Sequence, residues 1–163
     1  MRSTYLRVSD LEAALRCVAE LSAKTIVFDV EPLIALWDTG QQSLDDGLAV
    51  TLEQVAGIPG VEVVCFATNS VRRPSAALAS AGARLIYVAS AGKPLRVAQY
   101  RGFPRPGAVV GDQVATDGIL ARRLGYAFVH FRPEPGTTPV GPRLLDLSGR
   151  LLEPFLFTRR AVG

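Results

Sequence analysis

The chain has 163 residues, of which 48% are hydrophobic and 20% are charged, and its net charge at pH 7 is +3. This length fits one domain with one core, and the apolar content excludes a disordered chain. Every apolar run is shorter than the roughly 18 residues of a membrane span, and residues 1–20 lack the apolar core of a signal peptide, so we expect a cytoplasmic protein without a transmembrane segment.

Helical and strand-like segments alternate along the first half of the chain. Asp10 is expected to cap an amphipathic helix over residues 10–21, and residues 25–30 form a short apolar run of buried-strand type. Ser43 and Asp46 resemble a capping arrangement that opens a second helix, which Gly57 should end after residue 56. Residues 61–67 are predicted to form the second strand.

The second half continues the alternation. A short helix over 75–81 is expected before a third strand over 84–89, and Pro94 should begin a helix that reaches Tyr100. A fourth strand over 108–112 precedes a helix that Thr116 should cap and Gly125 should end, and residues 126–131 form the fifth strand. Residues 143–163 are predicted to be a C-terminal helix or extended arm that packs on the sheet.

The predicted strands are continuous apolar runs rather than alternating ones, which is typical of parallel sheets covered on both faces. The sequence therefore predicts an α/β protein with a doubly wound, Rossmann-like parallel sheet of five strands. It should be a single domain over 1–163, with its core in residues 25–131 between the N-terminal helix and the C-terminal arm.

Acidic, hydroxyl and amino side chains follow the predicted strands. They are Asp29, Thr68, Lys93, Asp112 and Asp117. Ligands of doubly wound sheets bind beyond the carboxyl ends of the strands, so these side chains should meet at one rim. Clustered carboxylates repel one another unless a cation joins them, and Mg²⁺ prefers carboxylate oxygen, water and substrate phosphate. The lysine and the hydroxyl would then hold an anionic phosphoryl group.

Four segments at these strand ends resemble the motifs of the haloacid-dehalogenase (HAD) superfamily, in their usual order. They are Phe28-Asp-Val-Glu31, Phe66-Ala-Thr-Asn-Ser70, Ala91-Gly-Lys-Pro-Leu95 and Gly111-Asp-Gln-Val-Ala-Thr-Asp117. The last two are similar to the YqeG-type branch of subfamily IIIA, which also includes mitochondrial phosphatidylglycerophosphatases. Four motifs in order are far more specific than any one of them.

The resemblance implies a Mg²⁺-dependent phosphatase with an aspartyl-phosphate intermediate on Asp29. Mg²⁺ would be bound by Asp29, Asp112 and the backbone carbonyl of Glu31, and Asp117 would bind it through water or orient the ligands. Glu31 occupies the position of the general acid and base.

The resemblance also implies how a phosphate group is held. Thr68 and the amide of Asn69 would bind the phosphoryl oxygens, and Lys93 would neutralise charge in the transition state. Arg72 and Arg73 could reach the distal part of an anionic substrate. The substrate would be a phosphorylated small molecule or a lipid head group.

The first motif departs from the family pattern. The family has Asp-x-Asp-x-Thr, whereas this chain has Asp29-Val-Glu-Pro-Leu33, so a longer carboxylate replaces the second Asp and Leu33 replaces a hydroxyl residue. A displacement of about 1 Å at a reacting group can lower the rate on the order of 100-fold. Two functions therefore stay open: an active phosphatase, or a catalytically impaired binding or regulatory module.

The spacing of the motifs leaves no room for a cap domain, so the site should be open. An open site suits a lipid-borne or macromolecular phosphate, or a small substrate covered by a neighbouring copy in a homo-oligomer. An RNA-associated function rests only on the small positive charge and paired arginines, so nucleic acid is not the expected partner. His130 and Trp37 are expected to be structural, with Trp37 covering the core.

Overall fold

The computed structural model describes residues 3–79, 82–132 and 157–159. The strands are β1 (Ser3–Val8), β2 (Thr25–Asp29), β3 (Val63–Ala67), β4 (Arg84–Val88), β5 (Gly107–Gly111), β6 (Ala127–Phe131) and β7 (Phe157–Arg159). The α-helices are α1 (Leu11–Glu20), α2 (Gln41–Ala56) and α3 (Ile119–Leu124). A 3₁₀ turn covers Ala98–Tyr100, and a π-helical turn covers Val114–Gly118.

The strands form one sheet in the order β4-β3-β2-β5-β6-β1-β7, and every neighbouring pair is parallel. The predicted α/β class and parallel sheet are therefore confirmed. The prediction of five strands is wrong, because the sheet has six strands of five or six residues and a short seventh. The sequence prediction misses β1, in which Ser3, Thr4 and Arg7 interrupt the continuous apolar run that predicts the other strands.

The order of the strands reverses beside β2. The chain runs outward from β2 to β3 and β4, and then returns to the other side of β2 to form β5 and β6. The carboxyl ends of β2 and β5 therefore flank the point at which doubly wound sheets bind ligands.

Two apolar layers cover the faces of the sheet. Ile26 and Phe28 of β2 pack in the layer that contains the buried faces of α1 and α2, and Val27 packs in the layer that contains α3. All five residues of β2 are buried. Coverage on both faces explains why the sequence of this strand is a continuous apolar run.

The ends of three helices confirm the sequence prediction. The amide of Ala13 donates to Asp10 Oδ1 at 2.7 Å, which is the expected cap of α1. Gly57 follows the last residue of α2, and Gly125 ends α3 in the left-handed region with φ 69°. A residue with a Cβ would be strained at that φ, so glycine suits this helix end.

The predicted start of α2 is wrong. The helix begins at Gln41 rather than after Ser43, with Gly40 at the cap position. Gln41 and Gln42 extend the helix because their side-chain amides donate to Asp45 and Asp46 one turn later.

Two predicted helices are absent from the described residues. Residues 75–79 form no helix. The amide and the hydroxyl of Ser75 donate to Asp45 at 3.0 and 2.6 Å, so the hydroxyl of Ser75 is directed at α2 and does not cap a helix of its own. Residues 95–100 contain a turn and the 3₁₀ turn, in which the side chain of Gln99 donates to the carbonyl of Ala91.

Thr116 does not cap the helix before Gly125. It lies inside the π-helical turn, which leads directly into α3. Of the predicted C-terminal arm, only β7 belongs to the described residues. It is extended along β1, and Phe157 is buried there. None of the helices in the described ranges is both long and apolar enough to cross a membrane.

Candidate functional site

The carboxyl ends of three neighbouring strands bring the predicted polar residues together. Asp29 is the last residue of β2, Thr68 follows β3, and Asp112 follows β5. Lys93 reaches the same point from the loop after β4, and Asp117 reaches it from the π-helical turn. The predicted constellation therefore exists as a spatial cluster.

Three buried carboxylates lie close together in this cluster. Asp29, Asp112 and Asp117 each offer an oxygen, and these atoms lie within 4.8 Å of one another. The three residues are 8%, 8% and 0% exposed. Lys93 Nζ lies 2.7 Å from Asp29 Oδ1 and 2.7 Å from Asp117 Oδ1. With the carboxylates ionised, these four side chains carry two more negative charges than positive ones.

The same contacts set the pKa values in the cluster. Burial raises the pKa of Asp29 well above its ordinary value, the neighbouring Asp117 and Asp112 carboxylates raise it too, and Lys93 opposes them. Burial lowers the pKa of Lys93, but the carboxylates of Asp117 and Asp29 raise it more, so its pKa lies above its ordinary value. Lys93 is therefore a permanent cation, and a second cation would favour the ionised form of Asp29.

The π-helical turn brings Asp117 into the cluster. Its amide donates to the carbonyl of Gln113 at 2.8 Å, and its Oδ2 accepts from the amide of Gln113 at 3.3 Å. A Cβ at Gly111 would lie 2.5 Å from the carboxyl carbon of Asp117. Glycine at the end of β5 therefore makes the space that the carboxylate occupies.

Glu31 lies in a different half of the site from the carboxylate cluster. Thr68 Oγ1 donates to Glu31 Oε2 at 2.6 Å, and Ser70 Oγ lies 3.3 Å from Glu31 Oε1. Arg72 Nη1 lies 3.7 Å from Glu31 Oε1. Thr68 Oγ1 also lies 2.9 Å from Ser70 Oγ, but an ionised carboxylate only accepts, so the single hydroxyl proton of Thr68 is directed at Glu31. Glu31 is only 5% exposed.

Asn69 holds the lysine loop in place. Its Oδ1 accepts from the amide of Lys93 at 2.8 Å, and its Nδ2 donates to the carbonyl of Lys93 at 3.3 Å. The loop after β3 is thereby tied to the loop after β4. The side chain of Asn69 positions Lys93, a role that the motif alone does not reveal.

The two arginines predicted to reach the substrate are placed differently. Arg72 donates to the carbonyls of Leu36, Thr39 and Gly40 at 2.9, 3.1 and 3.3 Å, so it connects the loop after β3 to the loop after β2. Arg73 is exposed. Neither arginine is among the described residues that line the cavity at the cluster, so their contact with a substrate stays a prediction.

A cavity of about 140 Å³ opens beside Asp29 and Lys93 of the cluster. It is lined by Asp29, Glu31, Trp37, Thr68, Asn69, Ser70, Lys93, Gln113 and Thr116. The sequence prediction missed four of these as site residues. The motif segments contain Ser70, Gln113 and Thr116, so the sequence could have identified these three as site residues. Trp37 was expected to cover the core, but it belongs to neither core layer in the described part of the chain.

Two of the larger cavities elsewhere on the described surface have polar side chains in their linings. One of about 460 Å³ lies between α2 and residues 74–79, and one of about 640 Å³ lies between α2 and the segment after β2. Their linings hold acidic side chains but no lysine or arginine. The smaller cavity is the candidate site, because it alone of these three combines carboxylates, a buried ammonium and hydroxyls.

His130 supports the site from the sheet. Its Nε2 lies 2.9 Å from the carbonyl of Asp112, and its Nδ1 lies 2.6 Å from the hydroxyl of Tyr5. A carbonyl only accepts, so Nε2 carries the proton and Nδ1 accepts from Tyr5. His130 fixes the backbone beside a cluster carboxylate, which agrees with the structural role expected for it.

Comparison with protein families, with curated proteins and with solved structures finds no match for this chain.

Proposed function

We propose that the protein is a Mg²⁺-dependent phosphatase that hydrolyses a phosphate monoester through an aspartyl-phosphate on Asp29. The observation that supports this most is the buried cluster of Asp29, Asp112, Asp117 and Lys93 at the reversal point of a doubly wound sheet. The order of the four motifs supports it as well. The substrate would be a phosphorylated small molecule or lipid head group in the cytoplasm, and the protein could act as a homo-oligomer.

The donor set fits a magnesium ion. With all three carboxylates ionised, the cluster carries an excess of two negative charges, and carboxylate oxygens are the ligands that Mg²⁺ prefers. Asp29 and Asp112 would hold the ion, with Asp117 beside them and the backbone carbonyl of Glu31 as a further ligand. When bound, Mg²⁺ offsets the charge that the carboxylates and the phosphoryl oxygens bring together.

The proposed reaction has two steps, as the resemblance to the HAD motifs implies. In the first step a carboxylate oxygen of Asp29 forms a bond to phosphorus, the bond to the ester oxygen breaks, and Glu31, which has first to take up a proton from solvent, gives that proton to the ester oxygen. In the second step water attacks phosphorus and loses a proton to Glu31, and the bond to Asp29 breaks to release phosphate. Lys93 neutralises developing negative charge throughout.

Thr68 imposes a condition on this reaction. Its hydroxyl proton is directed at Glu31, 2.6 Å away, so donation to a phosphoryl oxygen requires the hydroxyl to turn away from Glu31. Glu31 would then lose one hydrogen bond as it takes up its role in proton transfer.

The same contact favours a second function. Glu31 accepts from Thr68, lies near Ser70 and faces Arg72, so its carboxylate is held away from the cluster. A domain with this arrangement could bind a metal ion and an anion without turnover. A catalytically impaired binding or regulatory module is therefore the alternative.

One assay distinguishes the two functions. Phosphate release from a panel of phosphate esters is measured with Mg²⁺ for the wild type, Asp29→Asn and Glu31→Asp. We expect the wild type to release phosphate and Asp29→Asn to lose the activity. A silent wild type that becomes active as Glu31→Asp would favour the binding module, because the shorter side chain restores the acid–base step. Activity that survives in Asp29→Asn would overturn the proposed mechanism.

A further inference from the structure

The cavity has a charged floor and a partly exposed mouth. Its floor consists of buried residues, namely Asp29, Glu31, Thr68 and Lys93. Trp37, Gln113 and Thr116 line the same cavity but are only half-buried. The whole cavity is small, at about 140 Å³. A phosphoryl group on the buried residues would therefore leave the rest of a substrate beside the half-buried side chains.

The segment that carries Trp37 is fixed on both sides of the indole. The guanidinium of Arg72 donates to the carbonyls of Leu36, Thr39 and Gly40, and the hydroxyl of Thr39 donates to the carbonyl of Leu36 at 2.8 Å. These bonds hold the backbone before and after Trp37. The position of the indole at the mouth is thus built into the fold.

Trp37 is half-buried at the cavity rather than packed in the core. Within residues 3–79, 82–132 and 157–159, Trp37 makes no ring contact and no hydrogen bond, and it belongs to neither core layer. It is also the one aromatic side chain in the cavity lining, among polar and charged side chains. A large aromatic side chain that is only half-buried at a polar pocket is a means of binding a flat apolar group.

We propose that Trp37 forms an aromatic subsite, and that the substrate class is a phosphate ester whose alcohol carries a planar aromatic ring close to the phosphate. The ring stacks on the indole while the phosphate lies on Thr68 and Lys93. This inference rests on the proposed function for the place of the phosphate group. It does not depend on turnover.

Binding of non-hydrolysable phosphonates tests the subsite separately from catalysis. Phenylphosphonate and cyclohexylphosphonate differ in the flatness of the ring, and methylphosphonate carries no ring. Affinities are measured by calorimetry with Mg²⁺ for the wild type, Trp37→Leu and Trp37→Phe. Trp37 is the single tryptophan of the chain, so its fluorescence in the wild type reports directly on a ligand at the mouth.

We expect the wild type to prefer phenylphosphonate over cyclohexylphosphonate by about two- to tenfold, the range that aromatic pairs provide beyond buried area. Trp37→Leu should lose this preference, Trp37→Phe should keep most of it, and all three proteins should bind methylphosphonate equally. Phenylphosphonate should shift the fluorescence of Trp37, whereas methylphosphonate should shift it much less.

Equal binding of the two ring compounds by the wild type would overturn the subsite, as would a preference that survives in Trp37→Leu. Failure of all three phosphonates to bind would overturn it as well. Phosphate release from phenyl phosphate is followed in parallel. If the wild type shows the ring preference but releases no phosphate, the aromatic subsite stands and the proposed phosphatase activity is wrong. If it releases phosphate without a ring preference, only the aromatic subsite is wrong.

Discussion

The two halves of the site differ in how completely their charges are compensated. In the carboxylate half, Asp29, Asp112 and Asp117 share the single ammonium of Lys93. In the other half, the carboxylate of Glu31 accepts from Thr68 and faces Arg72. With its carboxylates ionised, the first half keeps an excess of negative charge, whereas the carboxylate of the second half has partners within the protein. The two halves should therefore respond differently to the loss of a basic residue and to added metal.

The largest expected effect comes from removing the cation of the carboxylate half. Lys93→Met leaves three buried carboxylates without their partner, so the free energy of unfolding without metal should fall by about 3–5 kcal/mol. Urea denaturation measures this. The matched control is Lys24→Met, because Lys24 forms an ion pair with Glu62 at 2.9 Å in which both side chains are about half exposed. The control should change stability by less than about 1 kcal/mol. Equal losses in the two variants would show that the cluster is not ionised.

Addition of metal should have the next largest effect. If the carboxylate half binds Mg²⁺, a concentration 100 times the Kd should raise the free energy of unfolding by about 2.7 kcal/mol. Thermal unfolding with MgCl₂, compared with NaCl at the same ionic strength, measures the shift. Asp112→Asn should reduce it strongly. A shift of the same size with NaCl would contradict a specific site.

The smallest expected effect on stability comes from a substitution in the half of the site that contains Glu31. Arg72→Ala removes the guanidinium that binds three carbonyls of the loop after β2, and its side chain is only 20% exposed, so stability should fall by about 1–2 kcal/mol. Arg73→Ala is the control, since its exposed guanidinium makes no hydrogen bond within the described residues, and it should stay within about 0.5 kcal/mol of the wild type. Urea denaturation of both variants checks this order. If Arg73→Ala lowers the free energy of unfolding as much as Arg72→Ala does, the hydrogen bonds of Arg72 do not stabilise the loop after β2 as described.

The topology made the carboxylate half predictable. Asp29, Thr68 and Asp112 directly follow continuous apolar strands, and the carboxyl ends of neighbouring parallel strands meet at one edge of the sheet. Their proximity follows from the order of the strands alone. The same reasoning gave the α/β class and the parallel sheet, although it missed β1 because that strand contains polar residues.

The other half was less predictable because it depends on loop conformation. The motif places Glu31 two residues after Asp29, but it does not predict that the carboxylate of Glu31 accepts a hydrogen bond from Thr68. Arg72 binds carbonyls of a loop more than thirty residues earlier, which no local pattern encodes. The position of Trp37 at the cavity follows from that long-range contact. The π-helical turn at Asp117 likewise depends on packing rather than on helix propensity.

The absence of a side chain at Gly111 can help to recognise distant relatives of this chain. The carboxyl group of Asp117 occupies the volume that any larger residue at position 111 would need. A related sequence that retains all three carboxylates but has a side chain at this position would have to rebuild the turn around Asp117. Gly111 is therefore as diagnostic of this geometry as the charged residues are, and a search profile should weight it equally.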